Sequence, residues 1–337
     1  MFRSRNLTFI CALIALAALA GSIGWFRGRV SRKPRLYRAS GLVMGSFYTL
    51  EFSRPAGIPP EAAARHVRER LAELERRWSP YNPESEISRL NRTGRLAGVS
   101  PETRRLLELS AEISRRTGGA FDITVGPLIE AWRNAEKTGR PPDLKKLLPL
   151  VDYRRVRLTG TGEVRLERKG MRIDPGAIGK GLAVDEAVRI LRRDGVPSGL
   201  VNLGGNLYAF GPGPDRGLWT IGIQDPFGPG EKGRLRIRDQ GVSTSGTYQQ
   251  WFQVGQKRFS HIVNPGNGEL KSPPRSVTVL APGAGLADGL STALEVLGPE
   301  AGLALLESIP GTSALIIMDD GRVIRSRGLD WPGAGLP

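Results

Sequence analysis

The stretch YRRVRLTGTGEVRLERKGMRIDPGAIGKGLAVD, residues 153–185, changes its hydrophobic period partway along. VRL at 156–158, VRL at 164–166 and MRI at 171–173 alternate apolar and polar residues, parted by Gly160-Thr161-Gly162 and Lys169-Gly170, which spells a β-meander. Over 181–193 the apolar residues recur at helical spacing instead. The junction between them, DPGAIGKGLAVD at 174–185, invites comparison with a phosphate loop of the form G-x-x-x-x-G-K-[ST]. It fails twice, because Asp174 stands where the first glycine belongs and Gly181 where the serine or threonine belongs. What remains is a glycine-rich turn at a helix N-terminus, where free backbone N–H groups and the helix dipole favour an anion beside Lys180 and Asp174. A plain strand-to-helix turn with Asp174 as a capping acid is the alternative.

Working outward, residues 43–52 read as a strand, 60–77 as a helix opened by Pro60, and 101–117 as a helix opened by Pro101 and ended by Gly118-Gly119. Further strands are expected at 199–203, 218–223, 233–238, 258–263 and 275–280, helices near 287–297 and 299–308, and a tight hairpin turn at Asp320-Gly321. Strands and helices neither alternate strictly nor separate into halves. The expected fold class is therefore α+β, with mixed or antiparallel sheets and flanking helices, rather than a doubly wound parallel sheet. No repeat or linker divides residues 39–337, which read as one domain.

The first 38 residues stand apart. Leu7 to Phe26 is an almost unbroken apolar run of 20 residues after Arg3 and Arg5. As a helix it would be about 30 Å long, enough to cross a bilayer. Ala18-Leu19-Ala20 before Gly21 also suits signal cleavage, so a retained membrane anchor and a removed export signal both stay open. Arg27, Arg29, Arg32, Lys33 and Arg35 form a basic linker behind the run, against the positive-inside bias. The single cysteine, Cys11, lies inside it, so the folded part has no disulfide and no thiolate metal site. The net charge of +16 comes from 49 basic residues, 40 of them Arg, spread along the chain without an aromatic-interleaved stripe. Nucleic acid is not expected as a partner; an anionic lipid surface or an anionic cofactor accounts for the charge.

Four further stretches could carry chemistry. In ADGLSTAL at 287–294, Asp288 and Thr292 are i and i+4 on a helix, so a carboxylate and a hydroxyl can share a hard cation; an N-cap aspartate and a back-bonded threonine are the alternative. Of the two histidines, His66 sits on a charged helix, whereas His261 follows a strand and precedes NPGNG at 264–268. With a reference pKa of about 6.5, His261 suits a general acid or base, though a structural role at a strand end also fits. Gly118-Gly119-Ala120-Phe121-Asp122 offers a ring and a carboxylate to a flat heterocycle, or a core Phe and a turn Asp. Trp78-Ser79-Pro80-Tyr81 offers more aromatic surface with the same ambiguity.

Together these stretches resemble a known family. MGS at 44–46, SPYNPESEISRLN at 79–91, TGGAFDITVGPL at 117–128, DPGAIGKGLAVD at 174–185, VNLGGN at 201–206, STSGTY at 243–248, HIVNPGNG at 261–268 and ADGLSTAL at 287–294 are similar, in order, to the signature blocks of the ApbE-type FAD:protein FMN transferases. The resemblance implies an exported or membrane-attached α+β protein that binds FAD and Mg2+. Such a protein transfers FMN to a threonine hydroxyl of a partner flavoprotein and releases AMP, or hydrolyses FAD to FMN and AMP. By motif position it implies FAD contacts at Met44, Tyr81, Ala120, Phe121, Asp122, Asp174 and Lys180. It places Mg2+ on the Ala177 carbonyl, the Asp288 carboxylate and the Thr292 hydroxyl, and makes His261 the proton relay. The block at 260–264 usually reads His-His-Ile-Ile-Asp; here Ser260 and Asn264 depart from it, which leaves a non-catalytic flavin-binding assembly protein as a third possibility. The leading expectation is a transferase on the outer side of the bacterial cytoplasmic membrane, held by its N-terminal helix or cleaved and exported, serving a flavin-carrying subunit of a membrane redox complex.

Overall fold

In the computed structural model the described residues are 36–160, 162–246, 251–254, 257–260, 262–270 and 276–331. The apolar run of residues 7–26 and His261 lie outside them. Strands β1 (Tyr37–Val43) and β2 (Ser46–Phe52) form a hairpin whose turn is Met44-Gly45, both at positive φ (51° and 66°). A single strand over 43–52 was expected; the turn is hidden because Met44 is not a residue that ordinarily marks φ > 0. Helix α1 (Pro60–Trp78) follows, then α2 (Glu86–Thr93), the short β3 (Arg95–Leu96) and α3 (Pro101–Arg116). Ser85 and Ser100 cap α2 and α3, each accepting from the backbone N–H three residues on.

Helices α4 (Gly126–Thr138) and α5 (Leu144–Leu147) precede β4 (Val156–Leu158) and β5 (Val164–Leu166). The small sheet is ordered β3-β5-β4, so the expected third meander strand at 171–173 is replaced by β3. The reason is local: Asn91 clamps Ile173 by accepting from its N–H (2.7 Å) and donating to its carbonyl (2.8 Å), leaving only a single bridge from Arg172 to Val125.

Helix α6 (Gly179–Arg193) leads into β6 (Gly199–Leu203), β7 (Asn206–Phe210), β8 (Trp219–Gln224), β9 (Glu231–Ile237) and β10 (Gln240–Gly246). Then come β11 (Trp251–Val254), β12 (Lys257–Ser260), β13 (Ser276–Ala281), α7 (Ala284–Leu297), α8 (Pro299–Glu307), β14 (Ser313–Ile317) and β15 (Val323–Arg325). The main sheet runs β1-β2-β6-β7-β10-β13-β14-β15 and is antiparallel throughout. The fold is α+β, as expected.

One face of this sheet packs on α1, α6 and α7; the other is covered by the β8–β9 hairpin. Strand β7 shows why: Tyr208 and Phe210 join the helical core while Leu207 and Ala209 join the hairpin side. Burial on both faces erases the period-two signal, so β7 is silent in the sequence. A third cluster, with Leu128, Trp132, Phe252 and Val263, seats α4 against β11.

Candidate active site

A cleft of about 1250 Å3 opens where the β1–β2 turn, the β6–β7 turn, the 174–180 segment, the end of β10 and α7 meet. All ten described candidate residues line it: Met44, Tyr81, Ala120, Phe121, Asp122, Asp174, Ala177, Lys180, Asp288 and Thr292. Residues separated by up to 248 positions in the chain are thus gathered at one surface.

Two helices build its floor. The N-terminus of α6 has no cap from its own flank; instead Asp288 Oδ2, from α7, accepts from Gly181 N–H at 2.9 Å. In return Asp185, from α6, accepts from Ala284 N–H (2.7 Å) and Gly285 N–H (2.9 Å) at the start of α7. Each carboxylate meets unpaired N–H groups and the positive end of a helix dipole. The close approach depends on Gly181, where a Cβ would lie 2.4 Å from the Ala284 carbonyl oxygen and 2.7 Å from Asp288 Cβ.

The second carboxylate oxygen of Asp288 is poorly served. Its contact is Ser243 Oγ at 3.4 Å, and that hydroxyl has one hydrogen, which the shorter 2.6 Å bond to Asn206 Oδ1 takes. Burial pushes the Asp288 carboxyl above its usual range, against the opposing pull of Lys180, the Gly181 N–H and Ser243. A buried carboxylate with an uncommitted oxygen calls for a cation. The Thr292 hydroxyl donates to the Asp288 carbonyl at 3.3 Å and keeps lone pairs free. No hydrogen bond to the Ala177 carbonyl is present among the described residues, since the Gly181 N–H that would close that turn goes to Asp288. Carbonyl, carboxylate and hydroxyl are all hard oxygen donors, so the residues present fit Mg2+.

Asp174 is not the cap of α6. Its Oδ1 accepts from Gly176 N–H at 2.8 Å, shaping the turn that carries Ala177 toward the helix. Lys180, the second residue of α6, runs past the β6–β7 turn, where its Cδ lies 3.7 Å from the Cβ position of Gly204. Met44 holds its left-handed conformation with its N–H on Glu75 Oε1 at 2.8 Å.

The 120–122 segment divides its labour. The Phe121 ring is 3% exposed and packs in the core, 3.6 Å from the Cβ position of Gly289. Asp122 has both carboxylate oxygens engaged, one by Thr124 N–H (2.8 Å) and Thr124 Oγ (2.6 Å), the other by Tyr153 N–H (2.9 Å). Burial raises its pKa against those bonds. This segment therefore offers the cleft chiefly backbone. Tyr81 is 74% exposed at the rim with the Arg133 guanidinium 5.3 Å from its ring centroid.

Ser260 is buried and its Oγ accepts from Ile262 N–H at 3.1 Å, while Asn264 Oδ1 accepts from Gly266 N–H at 2.9 Å. Both residues satisfy the turn that presents Ile262, Val263 and Pro265 to the cleft. His66 pairs with Asp194 at 2.7 Å and is not among the residues lining it. Glu75, Asn206, Ser243 and Arg133 were given no role from sequence. Asn206 and Ser243 belong to the VNLGGN and STSGTY blocks, so a signal existed; Glu75 and Arg133 lie on helix faces indistinguishable from solvated ones.

Comparison with known proteins gives the family. The FAD:protein FMN transferase of Treponema pallidum is 33% identical over 95% of this chain and 93% of its own length. That of Klebsiella pneumoniae is 32% identical over 87% of this chain and 92% of its own. Among solved structures, the ApbE protein of Thermotoga maritima superposes with a TM-score of 0.79 at 29% identity, covering 87% of this chain and 97% of that one. The apo flavinyl transferase ApbE of Pseudomonas stutzeri gives a TM-score of 0.75 at 30% identity, covering 87% and 95%. The model of the ApbE family matches residues 44–316, and the chain belongs to that family.

Proposed function

We propose that this protein is an FAD:protein FMN transferase that moves the FMN half of FAD onto a threonine hydroxyl of a partner flavoprotein and releases AMP. The observation that carries the reading is the buried Asp288, which lines the cleft, caps α6 with one oxygen and has only a long 3.4 Å contact from Ser243 on the other. The cleft exceeds the roughly 300–1,000 Å3 of ordinary small-molecule sites, in keeping with a dinucleotide.

Ala177, Asp288 and Thr292 would hold Mg2+, which when bound neutralises charge on the diphosphate and on the leaving phosphate. Lys180 adds fixed positive charge beside the diphosphate. Tyr81 and the 120–122 backbone orient the ring system, and Met44, on its rigid turn, closes one side. His261 takes the proton of the acceptor hydroxyl as its oxygen bonds to the phosphorus of the FMN half. The P–O bond to the bridging oxygen breaks, and AMP leaves with that electron pair. We place this chemistry outside the cytoplasmic membrane, with the apolar run of residues 7–26 as anchor or export signal and a subunit of a membrane redox complex as acceptor.

The test is to incubate the full chain with FAD, Mg2+ and a threonine-bearing acceptor protein, following AMP and covalent flavin fluorescence together. AMP with labelled acceptor supports transfer. AMP without labelling would make the protein an FAD pyrophosphatase, and FAD binding with neither would leave a flavin-binding assembly protein.

A further inference from the structure

Resting on the transferase reading, we infer that the tip of the β1–β2 hairpin, through the exposed pair Leu42 and Phe47, is the surface on which the acceptor polypeptide docks.

Leu42 and Phe47 lie directly opposite one another in the hairpin register, so their side chains share one face. They are 69% and 72% exposed, which is uncommon for a matched apolar pair with nothing covering it among the described residues. Along the same solvent face the cross-strand pairs change in order. Arg38 and Glu51 form an ion pair at 3.1 Å, Ser40 faces Thr49, and only the last pair before the turn is apolar. The apolar pair thus adjoins the Met44-Gly45 turn, and Phe47 itself reaches the cleft wall. Tyr81, the other large aromatic at the rim, is 74% exposed.

The hairpin is a stiff platform. Its opposite face buries Val43, Tyr48, Leu50 and Phe52, and the Tyr48 ring lies over Gly41, where a Cβ would come within 2.6 Å of the ring. Docking there would not have to order a loose loop first.

Charge selects the class of partner. In a chain with 49 basic residues, none of the twelve residues from Ala39 to Leu50 is charged. A loop that engaged an anionic bilayer would carry Lys or Arg beside its apolar residues. An uncharged tip at the mouth of a site that must admit a hydroxyl from another polypeptide fits an apolar segment flanking that hydroxyl.

The test titrates a protein acceptor against the full chain at saturating FAD and Mg2+, comparing wild type with Leu42→Ser and Leu42→Arg. Leu42 does not line the cleft, and its exposure keeps either variant folded, which a thermal melt checks. The expected result is a rise of about tenfold or more in KM for the acceptor, with kcat and FAD affinity by flavin fluorescence unchanged. An unchanged acceptor KM in both variants overturns the docking surface while leaving transferase activity standing. Absence of labelling by the wild type overturns the activity and the docking surface together. Loss of binding to vesicles of anionic phospholipid, or loss of a dimer in sedimentation, without a change in acceptor KM would assign the tip to a lipid or to a second copy and overturn the proposal equally.

Discussion

Asp185 and Asp288 exchange caps: each sits on one of the helices α6 and α7 and closes the N-terminus of the other. Of the two, Asp288 lines the cleft, and Asp185 on α6 anchors the start of the helix that carries it.

Asp288→Asn keeps an acceptor for the Gly181 N–H but removes the charge that a cation needs. AMP release in Mg2+ should fall about 100-fold or more while the thermal midpoint shifts little. An undiminished rate would remove Asp288 from the metal site.

Gly181→Ala drives a methyl group into the Ala284 carbonyl and Asp288 Cβ. Urea denaturation should show a loss of about 1–3 kcal/mol, with a weakened Mg2+ requirement curve in activity assays. Wild-type stability in this variant would mean that the helices have room to part.

Burial pushes the Asp185 carboxyl from 3.8 up to about 6, against the N–H groups of Gly285 and Ala284 that favour its charged form. The folded chain therefore holds this proton more tightly than the unfolded chain, so the contribution of Asp185 to stability is fullest below the unfolded pKa and declines as pH rises through about 6. The difference in thermal midpoint between wild type and Asp185→Asn, plotted against pH, should bend near that value. A bend near the ordinary carboxylate pKa would contradict the burial argument.

His261→Ala should slow transfer by about 100-fold or more while FAD binding, read by fluorescence, persists. Equal loss of binding would point to a structural histidine.

Much of this was legible beforehand, for physical reasons that differ by element. Helix α1 announces itself because Val67, Leu71 and Leu74 repeat at helical steps behind Pro60, and the hairpin at Asp320-Gly321 because Gly321 supplies φ 83°. Strand β10 does not, because Gly241, Ser243 and Ser245 are small where α7 crosses it, and small polar residues read as loop. That these blocks share one cleft was implied by the family resemblance, but which Asp caps a neighbouring helix was not legible. Asp122 and Asp288 look alike in sequence; only the bonds from Thr124 and Tyr153 show that the first is fully occupied.

The exchanged caps also set a time at which the protein becomes able to hold a flavin nucleotide. Gly181 and Asp288 are 107 residues apart, and Asp185 and Ala284 are 99 apart, so the floor of the cleft closes only through contacts of high sequence separation, which form late. A chain still emerging from a ribosome lacks this floor until α7 has been made. Flavin binding is thereby tied to the arrival of α7 rather than to the folding of α6 alone.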